Sequence, residues 1–94
     1  MNLKFLDTCF YVDNAIRKVQ ESLFSYPYPI KENYVSRNKI GAVINVIYAI
    51  ICELKTMQNL PQNYEEEISR LQLRYGDTIE SISNMYGLKL KSFK

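Results

Sequence analysis

Apolar residues recur along the first part of the chain at spacings that alternate between four and three residues. The positions are Phe5, Cys9, Val12, Ile16, Val19, Leu23 and Tyr26. This spacing places them on one face of an α-helix, and the charged residues between them fall on the other faces. The pattern predicts a helix over residues 3–26. A second apolar patch beside this face is formed by Leu6, Phe10 and Phe24.

The most apolar part of the chain is the segment IGAVINVIYAIICEL, residues 40–54. A transmembrane helix needs about 20 predominantly apolar residues. This run has only 15 residues, and Asn45 and Glu53 lie within it. We therefore expect a buried helix over residues 37–58, with Ser36 as its N-cap, and no membrane span.

The second predicted helix has no ordinary charged face. Large aliphatic residues share one broad side, and the far side carries small or uncharged residues, namely Gly41, Ala42, Asn45, Ala49, Cys52 and Thr56. A three-helix bundle that stays monomeric should leave one face of every helix polar. We therefore predict that this helix lies in a homo-oligomer interface. The predicted interface residues are Gly41, Asn45, Tyr48, Ala49 and Cys52.

A third helix is predicted over residues 63–86 by another apolar stripe. Its members are Tyr64, Ile68, Leu71, Tyr75, Ile79, Ile82 and Tyr86. Asn63 followed by Glu66 suggests a capping box at its start, and Gly87 suggests its C-terminal stop. The three helices predict one domain over residues 1–94. We expect an all-α, antiparallel up-down-up bundle completed by self-association, with a short basic tail over residues 88–94.

The connection between the first two helices, YPYPIKENYV at residues 26–35, combines prolines with tyrosines. Proline lacks an N–H and disfavours helix in the residue before it, so we expect a stiff, extended connection. Tyrosine buries a large area on binding for a small loss of entropy. Two interpretations remain open, because the rings either cap the end of the core or bind a partner. The partner-binding residues would be Tyr26, Tyr28, Ile30 and Tyr34.

The stretch GDTIESISNMYGL, residues 76–88, resembles the opening of a LysM module, a peptidoglycan-binding repeat. The shared residues are Gly76, Asp77, Thr78, Ile79, Ile82, Tyr86 and Gly87. The resemblance implies a strand-to-helix turn near Gly76 and a further helix and strand, for which only seven residues remain. Part of the stretch also resembles the first half of a helix-turn-helix, whose recognition helix would have to fit into KLKSFK. The unbroken apolar stripe favours one continuous helix instead.

Composition and charge give little support to catalysis. The chain has a formal net charge of +2 and no histidine, so the commonest general base is absent. Cys9 and Cys52 lie among apolar residues, so we expect buried thiols, and a disulfide between two helices stays open as an alternative. Lysine and arginine are dispersed along the sequence, which argues against a nucleic-acid partner.

Binding is therefore the expected function, and no enzymatic activity, cofactor or metal is expected. Asp7 and Asp13 interrupt any N-terminal signal sequence, so we expect a cytoplasmic location. The expected partners are a second copy of the chain and another protein, as for an inhibitor, immunity or adaptor protein of a phage or plasmid. Two alternatives remain open. One is an oligomer that sequesters a nucleotide-like ligand, and the other is a nucleic-acid-binding accessory factor.

Overall fold

The structure, a computed structural model, describes residues 3–25 and 34–93, and the side chains of residues 4–21 and 39–93. Within these ranges the protein consists of helices α1 (Leu3–Ser25), α2 (Tyr34–Glu53) and α3 (Tyr64–Tyr86), with a short 3₁₀ turn at Leu54–Thr56. Each helix packs against the other two. The predicted all-α three-helix bundle is therefore confirmed.

Contacts between side chains show the directions in which the helices run. Asp13 of α1 contacts Arg70 of α3, and further along both helices Gln20 donates to the Thr78 hydroxyl. Helices α1 and α3 therefore run parallel to each other. The beginning of α1 and the end of α2 line the same groove, so α2 runs in the opposite direction.

Buried apolar side chains from all three helices form the core. They are Phe5, Cys9, Val12, Ile16 and Val19 of α1, then Ile44, Ile47, Ile51 and Leu54, and Ile68, Leu71, Tyr75, Ile79, Ile82 and Tyr86 of α3. Every described side chain of the predicted α1 and α3 stripes is buried in this core, except that of Tyr64, which is half-buried. Full burial of one large apolar side chain contributes roughly 1.5–3 kcal/mol, so these faces hold the helices together.

The predicted ends of α2 were wrong by a few residues. The helix begins at Tyr34, so Ser36 lies inside it and is not the N-cap. At the other end α2 stops at Glu53, and the chain tightens into the 3₁₀ turn before Met57 adopts an extended conformation. An α-helical last turn was predicted because Leu54 and Met57 continue the apolar pattern, and Leu54 is indeed buried.

Helix α3 begins at Tyr64, one residue later than predicted, and ends at Tyr86 as predicted, but its N-terminal cap differs. Asn63 is the N-cap residue, yet its side chain makes no capping hydrogen bond. Its backbone (φ −98°, ψ 23°) lies outside the β region that aims a capping side chain at the first N–H groups. The predicted capping box with Glu66 is therefore wrong.

The rest of α3 and the residues after it test the resemblances to a LysM module and to a helix-turn-helix. The helix continues through Gly76, so the turn implied by the LysM resemblance is absent. Gly87 adopts the left-handed conformation (φ 66°), and its N–H donates to the Ser83 carbonyl, as expected of a helix stop. Residues 88–93 are not helical, so the chain forms no recognition helix there.

Polar contacts also join α1 to α3. Arg70 donates to both carboxylate oxygens of Asp13, at 3.2 and 2.8 Å, and Arg74 donates to the same group at 2.7 Å. The hydrogen bonds from Arg70 are the main reason that the pKa of Asp13 lies below its ordinary value. Because these side chains are partly exposed, each pair contributes at most about 1 kcal/mol.

Candidate interaction surface

The side of α2 that faces away from α1 and α3 is the surface to which the sequence analysis pointed. We define the α2 outer face as the exposed residues between positions 42 and 53, which are Ala42, Val43, Asn45, Val46, Ala49, Cys52 and Glu53. The exposed fractions of Val43 and Val46 are 37% and 53%. Between Lys39 and Glu53 the helix carries no charged residue. The solvent-facing side of a helix is normally charged or polar, so this face is unusual.

Three of the five predicted interface residues lie on the α2 outer face, namely Asn45, Ala49 and Cys52. Gly41 and Tyr48 are half-buried. The structure adds Val43 and Val46, two of the large aliphatic residues on the broad apolar side of the helix, which are 37% and 53% exposed. Because α2 is apolar around most of its circumference, its periodicity does not show which of its valines face the core.

The two cysteines lie in different environments. Cys9 is buried in the core and Cys52 is exposed, and both are free thiols. The expectation of a buried thiol is therefore right for Cys9 and wrong for Cys52, and the alternative of a disulfide between them is wrong. Burial raises the pKa of Cys9 above its ordinary value. A hydrogen bond to the side chain of Cys52 is the main reason that the pKa of Tyr48 is raised.

Three aromatic rings meet in the groove between α2 and α3. The ring of Phe93 stacks on Tyr48, with centroids 4.6 Å apart and planes 24° apart. Tyr75 lies edge-on to Phe93 at 5.2 Å and tilted to Tyr48 at 5.8 Å. Aromatic pairs in such arrangements contribute roughly 0.5–1.5 kcal/mol beyond the area that they bury. The three rings therefore hold Phe93 against α2 and α3.

Residues 88–93, which follow α3, form a segment without regular secondary structure that packs against the bundle, and we call it the strap. Leu88, Leu90 and Phe93 pack against the core, while Lys89 and Lys91 are exposed. This segment was predicted to be a basic tail, and its packing against the core was not predicted. The one available signal was the alternation of leucine and lysine, which is typical of an extended segment with one buried side.

The hydroxyl of Tyr75 anchors the middle of the strap. It donates a 2.7 Å hydrogen bond to the carbonyl oxygen of Lys91. The Tyr75 side chain is fully buried, and burial raises its pKa to about 12. The ammonium group of Lys91 lies 5.8 Å from the centre of the Tyr48 ring, within range of a cation–π contact.

The aromatic connection was the other predicted binding site. Tyr26, Tyr28 and Ile30 lie outside the described residues, so their role stays a prediction. Tyr34 is the first residue of α2 and does not belong to an extended connection, which corrects its predicted position.

Residues 3–25 and 34–93 contain no cluster of three or more potential metal ligands. In the same part of the chain, no helix has the length and apolar character that a membrane crossing requires. No family model, no curated protein and no solved structure matches the sequence.

Proposed function

We propose that the protein is a small, non-enzymatic binding protein that acts in the cytoplasm through protein–protein contacts as a homo-oligomer. The α2 outer face is its self-association surface. The observation that supports this proposal is the exposure of Val43 and Val46 on a side of α2 that carries small side chains. Burial of apolar area contributes roughly 25 cal/mol per Å², so a second copy that covers these side chains gains free energy.

A helix face of this kind suits contact with another helix. Ala42 and Ala49 have short side chains, which allow a second helix to approach closely. Glu53 is the one charged residue of the α2 outer face, so covering the face requires little desolvation of charge. In this proposal the α2 outer face joins the copies of the chain, and the resulting oligomer binds another protein as an inhibitor, immunity or adaptor protein does.

Substitution of Val46 tests this proposal with a matched control. Val46→Glu places a charge in the middle of the α2 outer face, and we expect it to abolish concentration-dependent association in sedimentation velocity. Leu73→Glu is the control, because Leu73 is 68% exposed on α3 and lies away from that face. Both variants should keep the helical circular dichroism spectrum of the wild type. The proposal is wrong if Val46→Glu associates as the wild type does, or if Leu73→Glu disrupts association equally.

The nucleotide-like alternative gains no support from the groove along α3. That groove is lined by Asp77 and Glu80, and no lysine or arginine is among its lining residues. Carboxylates at this position repel a phosphate-bearing ligand. A thermal-shift screen with nucleotides tests the alternative, which predicts a rise in melting temperature that the binding-protein proposal does not.

A further inference from the structure

A line of exposed residues runs along α2 at spacings that alternate between three and four. We call these residues the α2 seam, and they are Lys39, Ala42, Val46, Ala49 and Glu53. Such spacing keeps side chains on one line along a helix, and it is the spacing by which two helices pair in a coiled coil. From its first residue to its last, the seam is about 21 Å long.

The two ends of the α2 seam carry opposite charges. Lys39 and Glu53 are each seven residues from Val46. Among the described residues, neither Lys39 nor Glu53 is part of an ion pair, so both end charges are available to a partner. A partner that matches the seam therefore presents a negative charge opposite Lys39 and a positive charge opposite Glu53.

A second copy of the chain meets this requirement in one orientation. When two seams run antiparallel with Val46 of each copy at the centre, Lys39 of each copy falls opposite Glu53 of the other. Parallel seams instead place Lys39 beside Lys39 and Glu53 beside Glu53, which is unfavourable. The antiparallel alignment also places Val43 opposite Ala49, so a larger side chain meets a smaller one.

We propose that the protein forms a two-fold symmetric dimer in which two α2 seams pack antiparallel. Val46 lies at the two-fold axis, and two Lys39–Glu53 ion pairs close the ends of the interface. This inference rests on the proposed function, because it specifies how the self-association surface meets its partner. A two-fold contact uses the same patch on both copies, so assembly stops at two subunits. The short seam predicts a small interface and a dimer that dissociates on dilution.

Charge reversal at the ends of the seam tests the orientation. In the antiparallel dimer, Lys39→Glu or Glu53→Lys alone converts both ion pairs into like-charge contacts, and we expect dimerisation to weaken by about tenfold. The double variant restores two opposite-charge pairs and should dimerise within about threefold of the wild type. An equimolar mixture of the two single variants should form the heterodimer. Sedimentation equilibrium at low salt measures all four cases, and high salt should reduce the differences.

Parallel seams predict a different result, because like charges already face each other in the wild type. Each single variant would then keep one like-charge pair at each end and dimerise as the wild type does. That result would overturn the antiparallel pairing. It would leave the proposed function intact, whereas a wild-type chain that is monomeric at every concentration would remove both.

Cysteine cross-linking gives an independent readout. Val46→Cys places two thiols at the axis, where Cα atoms can approach to the roughly 4.4–6.8 Å that a disulfide requires. The native Cys52 residues of the two copies would lie about 18 Å apart along the helices and cannot be linked. With oxidised glutathione, Val46→Cys should therefore form a covalent dimer and the wild type should not. Linkage of the wild type through Cys52, without linkage of Val46→Cys, would overturn the proposal.

Discussion

Substitution of Tyr75 tests whether the hydrogen bond from its hydroxyl holds the strap against the bundle. This hydroxyl lies in the groove between α2 and α3 and donates to the Lys91 carbonyl at 2.7 Å. Tyr75→Phe removes a single oxygen and leaves the ring in place against Tyr48 and Phe93. The substitution therefore isolates the hydrogen bond from the aromatic packing.

The size of the effect follows from the surroundings of the two groups. An intramolecular hydrogen bond contributes about 0.5–1.5 kcal/mol net of the bonds that both groups make to water. Lys91 is exposed, so water can reach its carbonyl when the hydroxyl is gone. We therefore expect a loss of about 1 kcal/mol, which is about a fivefold increase in the population with an open strap. A loss of this size should lower the melting temperature by about 4–8 °C.

Trypsin cleavage measures strap opening directly, because Lys89 and Lys91 lie within the strap. When opening is fast relative to cleavage, Tyr75→Phe should be cut there about five times faster than the wild type. The control is Tyr11→Phe, since Tyr11 is exposed on α1, and its cleavage rate should not change. Urea unfolding followed by circular dichroism gives the change in stability. Unchanged cleavage and unfolding in Tyr75→Phe would refute the assigned role of this hydrogen bond.

Two further predictions concern the bundle itself. The pKa of Asp13 is lowered mainly by hydrogen bonds from Arg70, so the stability from this contact is present above about pH 4 and is lost as the pH falls through the lowered value. Urea unfolding across acid pH should show a flatter profile for Asp13→Asn, and an identical profile would contradict the assignment. A Cβ added at Gly76 or Gly87 meets no atom within 4 Å, so the effect of an alanine on the free energy of unfolding depends on backbone conformation alone. Gly76→Ala in mid-helix should raise the free energy of unfolding by about 1 kcal/mol, whereas Gly87→Ala, with φ 66°, should lower it by about 1 kcal/mol. Shifts of the same sign in thermal and urea unfolding would show that this reasoning is wrong.

The sequence predicts the cores of α1 and α3 well because each has one apolar face among charged residues. The stripe from Phe5 to Val19 and the stripe from Ile68 to Tyr86 are buried as expected. Helix α2 shows the limit of this reasoning. Its segment from residue 40 to residue 52 has no charged position, so periodicity did not predict that Val43 and Val46 face outward.

Features that depend on tertiary packing or on backbone angles were less predictable. The position of Phe93 depends on Tyr48 and Tyr75, which come from different helices and meet only after the bundle forms. The missing side-chain cap of Asn63 depends on its backbone angles, which an Asn-x-x-Glu pattern does not specify. The same limit applies to Ser36, because the pattern did not show that α2 extends back to Tyr34.

The molar mass of the wild-type chain in solution, measured by light scattering over a series of concentrations, tests the proposed self-association most directly. One subunit has a mass of 11.1 kDa. We predict a mass near twice this value at high micromolar concentration, which falls toward the subunit mass on dilution. A mass of 11.1 kDa at every concentration would contradict the account, because the α2 outer face would then be the solvent-exposed surface of a monomer.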